Sequence, residues 1–256
     1  MEKISVLMNC YNGERYLDEA IQSLFNQTYS NWELVFIDNC STDNSSKIVE
    51  KYGSKIKYYK TTKNVPLGKA RKYGVSKCGK YIAILDSDDI WLPNALEELH
   101  KAITSGNYAL AYGNIYQINK KGVKIGKITN LHAGTSGNFF EKLLYQFDIP
   151  IVCTIIDKEK MLECGLNFDE KIHGSEEYCL FVELALTTNF IAIDKYLVQY
   201  RTYDSLTAKL NELIYQERFY TLNKIVKKHP QIRSKYRKAF DVAYARGSYY
   251  KAQYHV

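Results

Sequence analysis

Through the first 112 residues, short apolar runs take turns with stretches whose apolar residues return every three or four positions. Ile4-Ser5-Val6-Leu7-Met8 opens the series and predicts a strand over 4–9. A helix over 15–27 follows, with Leu17, Ala20, Ile21, Leu24 and Phe25 on one stripe. The same reading continues with strand 32–38, helix 44–52, strand 55–60, helix 67–77, strand 80–85, helix 93–104 and strand 108–112. Strands separated by helices in this way form βαβ units, so the expected fold class is α/β, a mostly parallel sheet flanked by helices. Local chemistry agrees with the pattern. Ser41-Thr42-Asp43-Asn44-Ser45 supplies cap residues for the second helix, and Pro93 opens the fourth, where its missing N–H costs nothing.

From about residue 113 the rhythm changes. Asn119-Lys120-Lys121-Gly122 reads as a hairpin turn, and Gly134 to Gly137 as a Gly- and Ser-containing loop of the kind that often carries specificity. A helix over 138–146, a strand over 151–156, a short helix over 158–164 and an acidic helix starting near Ser175 complete this part. Residues 189–202 again read as strand, and 209–228 and 232–253 as helices. The expected organisation is one domain over 1–205 with a helical extension over 206–256, without repeats or low-complexity linkers.

The formal charge of +7 over 256 residues is unevenly placed: residues 201–256 hold 12 Lys and Arg against 4 Asp and Glu. This basic, Tyr-rich tail (Tyr215, Tyr220, Tyr236, Tyr244, Tyr249, Tyr250, Tyr254) either lies on an anionic membrane surface or is a solvated helical face. Six cysteines are scattered without a Cys-x-x-Cys pair and read as reduced thiols. The chain enters a strand within three residues of Met1, and no apolar run approaches the ~18 residues of a membrane helix. The expectation is a cytosolic protein, at most attached to a membrane from outside, with no nucleic-acid partner.

The candidate chemistry sits where the predicted strands end. Ile84-Leu85-Asp86-Ser87-Asp88-Asp89 closes an apolar strand with three carboxylates, hard oxygen donors that suit Mg²⁺ or Mn²⁺ bridging a diphosphate better than Zn²⁺. Strand one ends in Asn9-Cys10-Tyr11-Asn12-Gly13 and strand two in Asp38-Asn39-Cys40-Ser41-Thr42-Asp43. In open α/β sheets ligands bind outside the carboxyl ends of strands. No Gly-rich phosphate loop is present, so phosphates call for a metal. A nucleobase would need side chains: Tyr11 for stacking, Asp38 or Asn39 for its edge. For each residue, ordinary turn chemistry is the competing explanation.

In this arrangement the chain resembles the family 2 inverting glycosyltransferases of the GT-A fold over roughly residues 3–205. Four segments in order carry the likeness: Ile4 to Asn12 with Gln27-Thr28-Tyr29; Asp38 to Asp43; Ala70-Arg71 with Gly79-Lys80-Tyr81-Ile82 running into Asp86-Ser87-Asp88-Asp89; and Gly174-Ser175-Glu176-Glu177-Tyr178. The resemblance implies a nucleotide-sugar half over 1–112 and an acceptor half over 113–205. It implies a donor that is most often UDP-linked, contacted by Asn9, Tyr11, Asp38, Asn39, Arg71 and Asp86. Asp86 and Asp88 look like the Asp-x-Asp motif, with Asp88 the direct metal ligand and Asp89 a cap of the next helix. Arg71 would neutralise phosphate or orient the Asp cluster, unless it is a surface residue of an amphipathic helix. Glu176-Glu177 resembles the family's Glu-Asp pair, whose second member is the general base. The expected acceptor is a saccharide or, on the excess of basic residues in the tail, a lipid-linked glycan.

The chemistry is coherent in its own terms. Inversion needs a stabilised leaving diphosphate on one face of the sugar and a base on the other, hence two separate carboxylate sets. This chain has them, about 90 residues apart, and Glu177 falls at a helix start where the dipole favours a carboxylate. Four positions depart from the family pattern: Met8-Asn9-Cys10 lacks a Pro, Glu177 replaces Asp, Glu183 stands where Arg is frequent, and Tyr203 after Tyr200-Arg201-Thr202 stands where His is frequent. If that His is a metal ligand elsewhere, the cation here is held by fewer protein groups, with His173 as either a substitute ligand or an acceptor contact. A sugar nucleotidyltransferase and a non-catalytic scaffold of the same fold are the alternatives.

Overall fold

The computed structural model describes residues 2–202 and 211–254. The first half runs β1 (Ile4–Cys10), α1 (Leu17–Phe25), β2 (Trp32–Asp38), α2 (Ser45–Glu50), β3 (Ile56–Lys60), α3 (Leu67–Val75), β4 (Tyr81–Ile84), β5 (Ile90–Trp91), α4 (Ala95–Thr104) and β6 (Leu110–Ile118). The second half runs β7 (Lys124–Ile128), β8 (Thr135–Gly137), α5 (Phe140–Tyr145), β9 (Thr154–Asp157), α6 (Lys158–Glu163), α7 (Glu176–Ala185) and β10 (Phe190–Arg201). It closes with α8 (Asn211–Lys228), α9 (Ile232–Lys235) and α10 (Arg237–Tyr254).

The ten strands of the described residues form one sheet in the order β3-β2-β1-β4-β9-β6-β10-β5, with β7 beside β6 and β8 beside β10. β1 pairs parallel with β2 and β4, and β2 with β3, which brings the ends of β1, β2 and β4 out on one edge. Beyond β4 the sheet is mixed: β9 enters antiparallel between β4 and β6, while β6 and β10 pair parallel. The expected mostly parallel arrangement thus describes the first four strands. Every residue of β2 is buried, as in a sheet covered on both faces. Val6, Met8, Leu34 and Phe36 pack under α1 and α4, whereas Leu7, Val35 and Ile37 belong to the core that includes α3, α5 and α7.

Several element boundaries differ from the sequence expectation. β6 runs on to Ile118 because it continues through the Asn119–Gly122 turn into β7. The Gly- and Ser-containing loop holds β8, which pairs antiparallel with β10. Phe25, read as part of the buried stripe, is 38% exposed and packs edge-on to Trp32. Pro93 precedes Asn94, the N-cap of α4, so it stands just outside that helix. The expected helix from 209 begins outside the described residues, as does Tyr203.

Two glycines press α3 into place. A Cβ on Gly68 would lie 2.0 Å from the Asp169 carbonyl oxygen, and one on Gly74 would lie 2.3 Å from Leu7 Cδ1. The first approach, to backbone, admits only glycine, and the second would force the buried Leu7 side chain aside. Arg71 lies three residues from each, on the same helical face, and is therefore buried. The C-terminal helices are layered onto the domain: Leu222 and Ile225 of α8 and Ala239, Phe240 and Ala243 of α10 share a core with Phe140, Tyr178 and Phe181. Tyr236 and Tyr244 pack against this core, while Tyr249 is exposed.

Candidate active site

Arg71 joins the two acid sets. Its Nη2 donates to Asp86 Oδ1 at 2.9 Å, and its Nε lies 3.0 Å from Glu176 Oε1. Burial opposes the guanidinium charge, and Asp86 and Glu176 more than offset it. Arg71 is therefore an internal bridge and not a surface residue of an amphipathic helix. A pair this deep is costly to break, because the remaining partner is left as an unpaired buried charge.

Around this bridge lies a cavity of about 380 Å³ whose walls include Asn9, Arg71, Asp86, Ser87, Asp88, His173, Glu176, Glu177 and Tyr200. Its size is in the range of small-molecule sites. Carboxylates from the turn after β4 and from the start of α7 thus face one space. A second cavity of about 310 Å³, lined by Tyr11, Asn12, Gly13, Arg15 and Tyr16, also includes Ser87 and Asp88 in its wall. Ser87 and Asp88 therefore stand between the two.

The electrostatics of the acid pair follow from burial. Glu177, partly buried, has its pKa raised to about 8, first by desolvation and then by the neighbouring Glu176, with Arg71 and Arg218 pulling the other way. Glu176 is also raised by burial, against the pull of Arg71. A carboxyl that titrates near neutrality is suited to exchanging protons.

Asp86 and Asp88 offer hard oxygen donors to the cavity. Among the described residues no group of three or more His, Cys, Asp or Glu side chains forms a cage for a metal. Two carboxylates fit a cation that keeps water and takes phosphate oxygens, as Mg²⁺ and Mn²⁺ do, and do not fit Zn²⁺. Asp89 is not a helix cap. The strand β5 intervenes before α4 and pairs with Val198 and Gln199, which sets the buried Asp89 carboxylate against the Arg201 N–H at 2.7 Å. Burial and the adjacent Asp88 and Asp86 push the Asp89 pKa well up.

Asp38 and Asn39 face inward. Asp38 accepts the Ser41 N–H at 2.7 Å and the Tyr58 hydroxyl at 2.5 Å, with Lys60 Nζ at 3.4 Å. Asn39 accepts from the Val65 N–H at 3.0 Å and donates to the Val65 carbonyl at 2.8 Å. Both side chains shape the loop after β2 and line neither cavity. Tyr11 is 49% exposed in the second cavity, and the buried Nδ2 of Asn9 has no hydrogen-bond partner among the described residues.

Two residues escaped the sequence reading. Buried Arg201 donates through Nε to the Asp88 carbonyl at 2.9 Å and through Nη2 to Glu19 at 2.6 Å, and its guanidinium lies 4.2 Å from the centre of the Tyr16 ring. It pins the turn that carries Asp88. Glu217, on α8, bonds the turn ahead of α7. The Tyr200-Arg201 pair was visible as a motif, but nothing local signals the partners of either residue.

Comparison with known proteins agrees with this architecture. Residues 5–165 match the family model described as glycosyl transferase family 2. An uncharacterised glycosyltransferase of Rickettsia conorii is 33% identical over 203 residues, 78% of this chain and 33% of that protein. The chain thus spans about a third of the length of that relative. The Escherichia coli UDP-Glc:alpha-D-GlcNAc-diphosphoundecaprenol beta-1,3-glucosyltransferase WfgD is 31% identical over 193 residues, 75% of this chain and 73% of that one. Among solved structures, S. aureus TarS in complex with UDP-GlcNAc superposes with a TM-score of 0.74 at 21% identity, over 88% of this chain and 67% of that one. The mannosyltransferase PcManGT of Pyrobaculum calidifontis, with GDP-Man and Mn²⁺, gives 0.69 at 12% identity, over 98% and 74%. The fold is the expected GT-A type, and by its sequence the chain belongs to glycosyl transferase family 2.

Proposed function

We propose that the protein transfers a glycosyl group from a nucleoside-diphosphate sugar, in the first place a UDP-sugar, to a saccharide acceptor with inversion at the anomeric carbon. The observation that carries this reading is the single cavity lined by Asp86, Asp88, Glu176 and Glu177, with Arg71 bridging the acid sets. The diphosphate lies across the Ser87-Asp88 wall, the nucleoside in the cavity of Tyr11 and the sugar in the cavity of Glu177. Tyr11 offers a ring face to the base, Asp38 and Asn39 hold the loop beside it, and Asn9 offers its unpaired Nδ2 donor. Asp86 and Asp88 would hold Mn²⁺ or Mg²⁺, which would supply Lewis-acid stabilisation to the leaving diphosphate.

Glu177 takes the proton of the acceptor hydroxyl. As that oxygen bonds to the anomeric carbon, the bond to the diphosphate oxygen breaks and its electron pair leaves with the nucleotide. Glu176 fixes Arg71 against Asp86 and, by its charge, keeps Glu177 basic enough to accept the proton. Membership of family 2 argues against the nucleotidyltransferase alternative.

The acceptor in this reading is a lipid-linked glycan met at a cytoplasmic membrane face. WfgD, by its name, acts on a diphosphoundecaprenol-linked sugar. Lys227, Lys228, Arg233, Lys235, Arg237 and Lys238 form an exposed basic turn without an intervening acid, a feature that favours anionic headgroups. No helix among the described residues is long and apolar enough to cross a membrane, and the six cysteines are free thiols, consistent with a reducing compartment.

The test is transfer from a panel of UDP-sugars, with Mn²⁺, onto a polyprenyl-diphosphate saccharide in anionic or neutral vesicles. A β-linked product from an α-linked donor, formed faster on anionic vesicles, is expected. A product of retained configuration would overturn the inverting mechanism, and equal rates on both vesicles would overturn the membrane contact.

A further inference from the structure

The turn that delivers Glu177 is held by a helix of the C-terminal extension. Ser175 occupies the N-cap position of α7, yet its hydroxyl makes no bond to its own helix. It donates instead to Glu217 Oε2 at 2.8 Å, and the same carboxylate accepts the His173 N–H at 2.5 Å and the Gly174 N–H at 3.2 Å. Glu217 is only 6% exposed. Three donors just ahead of the helix thus converge on one buried carboxylate supplied by α8, in the place where a local cap would ordinarily act. The grip continues along α8: the Arg218 guanidinium lies 4.6 Å from the centre of the Tyr178 ring, and Lys224 pairs with Glu183 at 2.6 Å and Asp169 at 3.0 Å.

We infer that Glu217 is a positioning residue for glycosyl transfer: by clamping the 173–175 turn it sets the direction in which Glu177 enters the cavity, so that the C-terminal extension forms part of the active site. The inference rests on the reading of Glu177 as the base. Glu177 is the second residue of its helix, in the first turn, where a helix frays most readily. His173 and Gly174 line the same cavity, so anchoring their N–H groups also fixes its wall. A displacement of about 1 Å at a reacting group can cost on the order of 10²-fold in rate. On the donor side the Asp88 turn is held separately, by Arg201, while Arg71 on α3 bonds Asp86 as well as Glu176. Loss of Glu217 therefore acts chiefly on the chemical step, and on donor binding only through the Arg71 bridge.

The experiment compares Glu217→Gln and Ser175→Ala with wild type in the full chain, reading kcat per UDP-binding site (titrated with Mn²⁺), donor KM and Tm. Gln cannot supply two carboxylate acceptors, so a fall in kcat of at least tenfold is expected, with a smaller fall for Ser175→Ala and donor KM within twofold in both. An unchanged kcat per binding site, with only Tm lowered, would reduce Glu217 to a fold-stabilising contact and overturn the inference. Should Glu217→Gln fail to fold, Ser175→Ala decides alone, since a kcat equal to wild type there has the same consequence. If Glu177→Gln itself retains transfer, the fault lies with the base assignment and not with the clamp.

Discussion

Glu177→Gln should lower glycosyl transfer by roughly 10²–10⁴-fold, the range expected when a general base is removed, while the protein stays folded and still binds donor. Gln keeps the shape of the side chain but cannot take a proton. The pH profile of the wild type carries the same signature. A base whose pKa is raised to about 8 is mostly protonated at neutral pH, so kcat/KM should climb as pH rises and level off once the group has ionised. A bound divalent cation nearby would move that limb to lower pH. Stability should run in the opposite direction. Because this carboxyl titrates higher in the fold than its ordinary value of 4.5, its contribution is intact below that value and is lost as pH rises through about 8. Above pH 8 the Gln variant should therefore melt higher than wild type, which separates loss of chemistry from loss of fold. Transfer within tenfold of wild type would remove Glu177 from the mechanism.

Asp88→Asn should abolish the metal-dependent part of donor binding, and with it turnover. The backbone carbonyl of Asp88, which Arg201 holds, is untouched by the change, so the turn should persist. In the wild type, a UDP-sugar at about 100 times its Kd in the presence of Mn²⁺ stabilises the fold by about 2.7 kcal/mol. For a domain of this size that is roughly 5–10 °C in Tm. The variant should show no Mn²⁺-dependent increment, and EDTA should reduce the wild type to the same behaviour. An Asn variant whose donor shift still depends on Mn²⁺ would place the cation elsewhere.

What the sequence made legible, and what it concealed, divides by distance along the chain. The first four strands and their helices were readable because short, nearly continuous apolar runs and an apolar return every three or four residues are local properties. Asp86 and Asp88 stood out because a strand ending in several carboxylates is a local anomaly, and Glu176-Glu177 because it opens a helix. The role of Arg71 depended on how closely α3 approaches the sheet, which Gly68 and Gly74 permit but which no local pattern announces. Asp89 looked like a cap because its true partner, Arg201, comes more than a hundred residues later. Glu217 looked like one acid in a basic tail, since the donors it satisfies lie on another helix. Asp38 and Asn39 illustrate a further point: polar residues that a strand end offers as ligand contacts also bond within their own loop, to Ser41 and Val65, which no local pattern announces.

The central claim is that the two acid sets bracket one anomeric carbon, and a crystal structure with Mn²⁺ and a non-hydrolysable UDP-sugar tests it most directly. The account predicts the cation on Asp88, the diphosphate between the two cavities, and the Glu177 carboxylate on the face of the sugar opposite the diphosphate, with room for one acceptor hydroxyl between. A sugar ring bound outside the cavity of Glu177, or presenting to Glu177 the same face that carries the diphosphate, would contradict it.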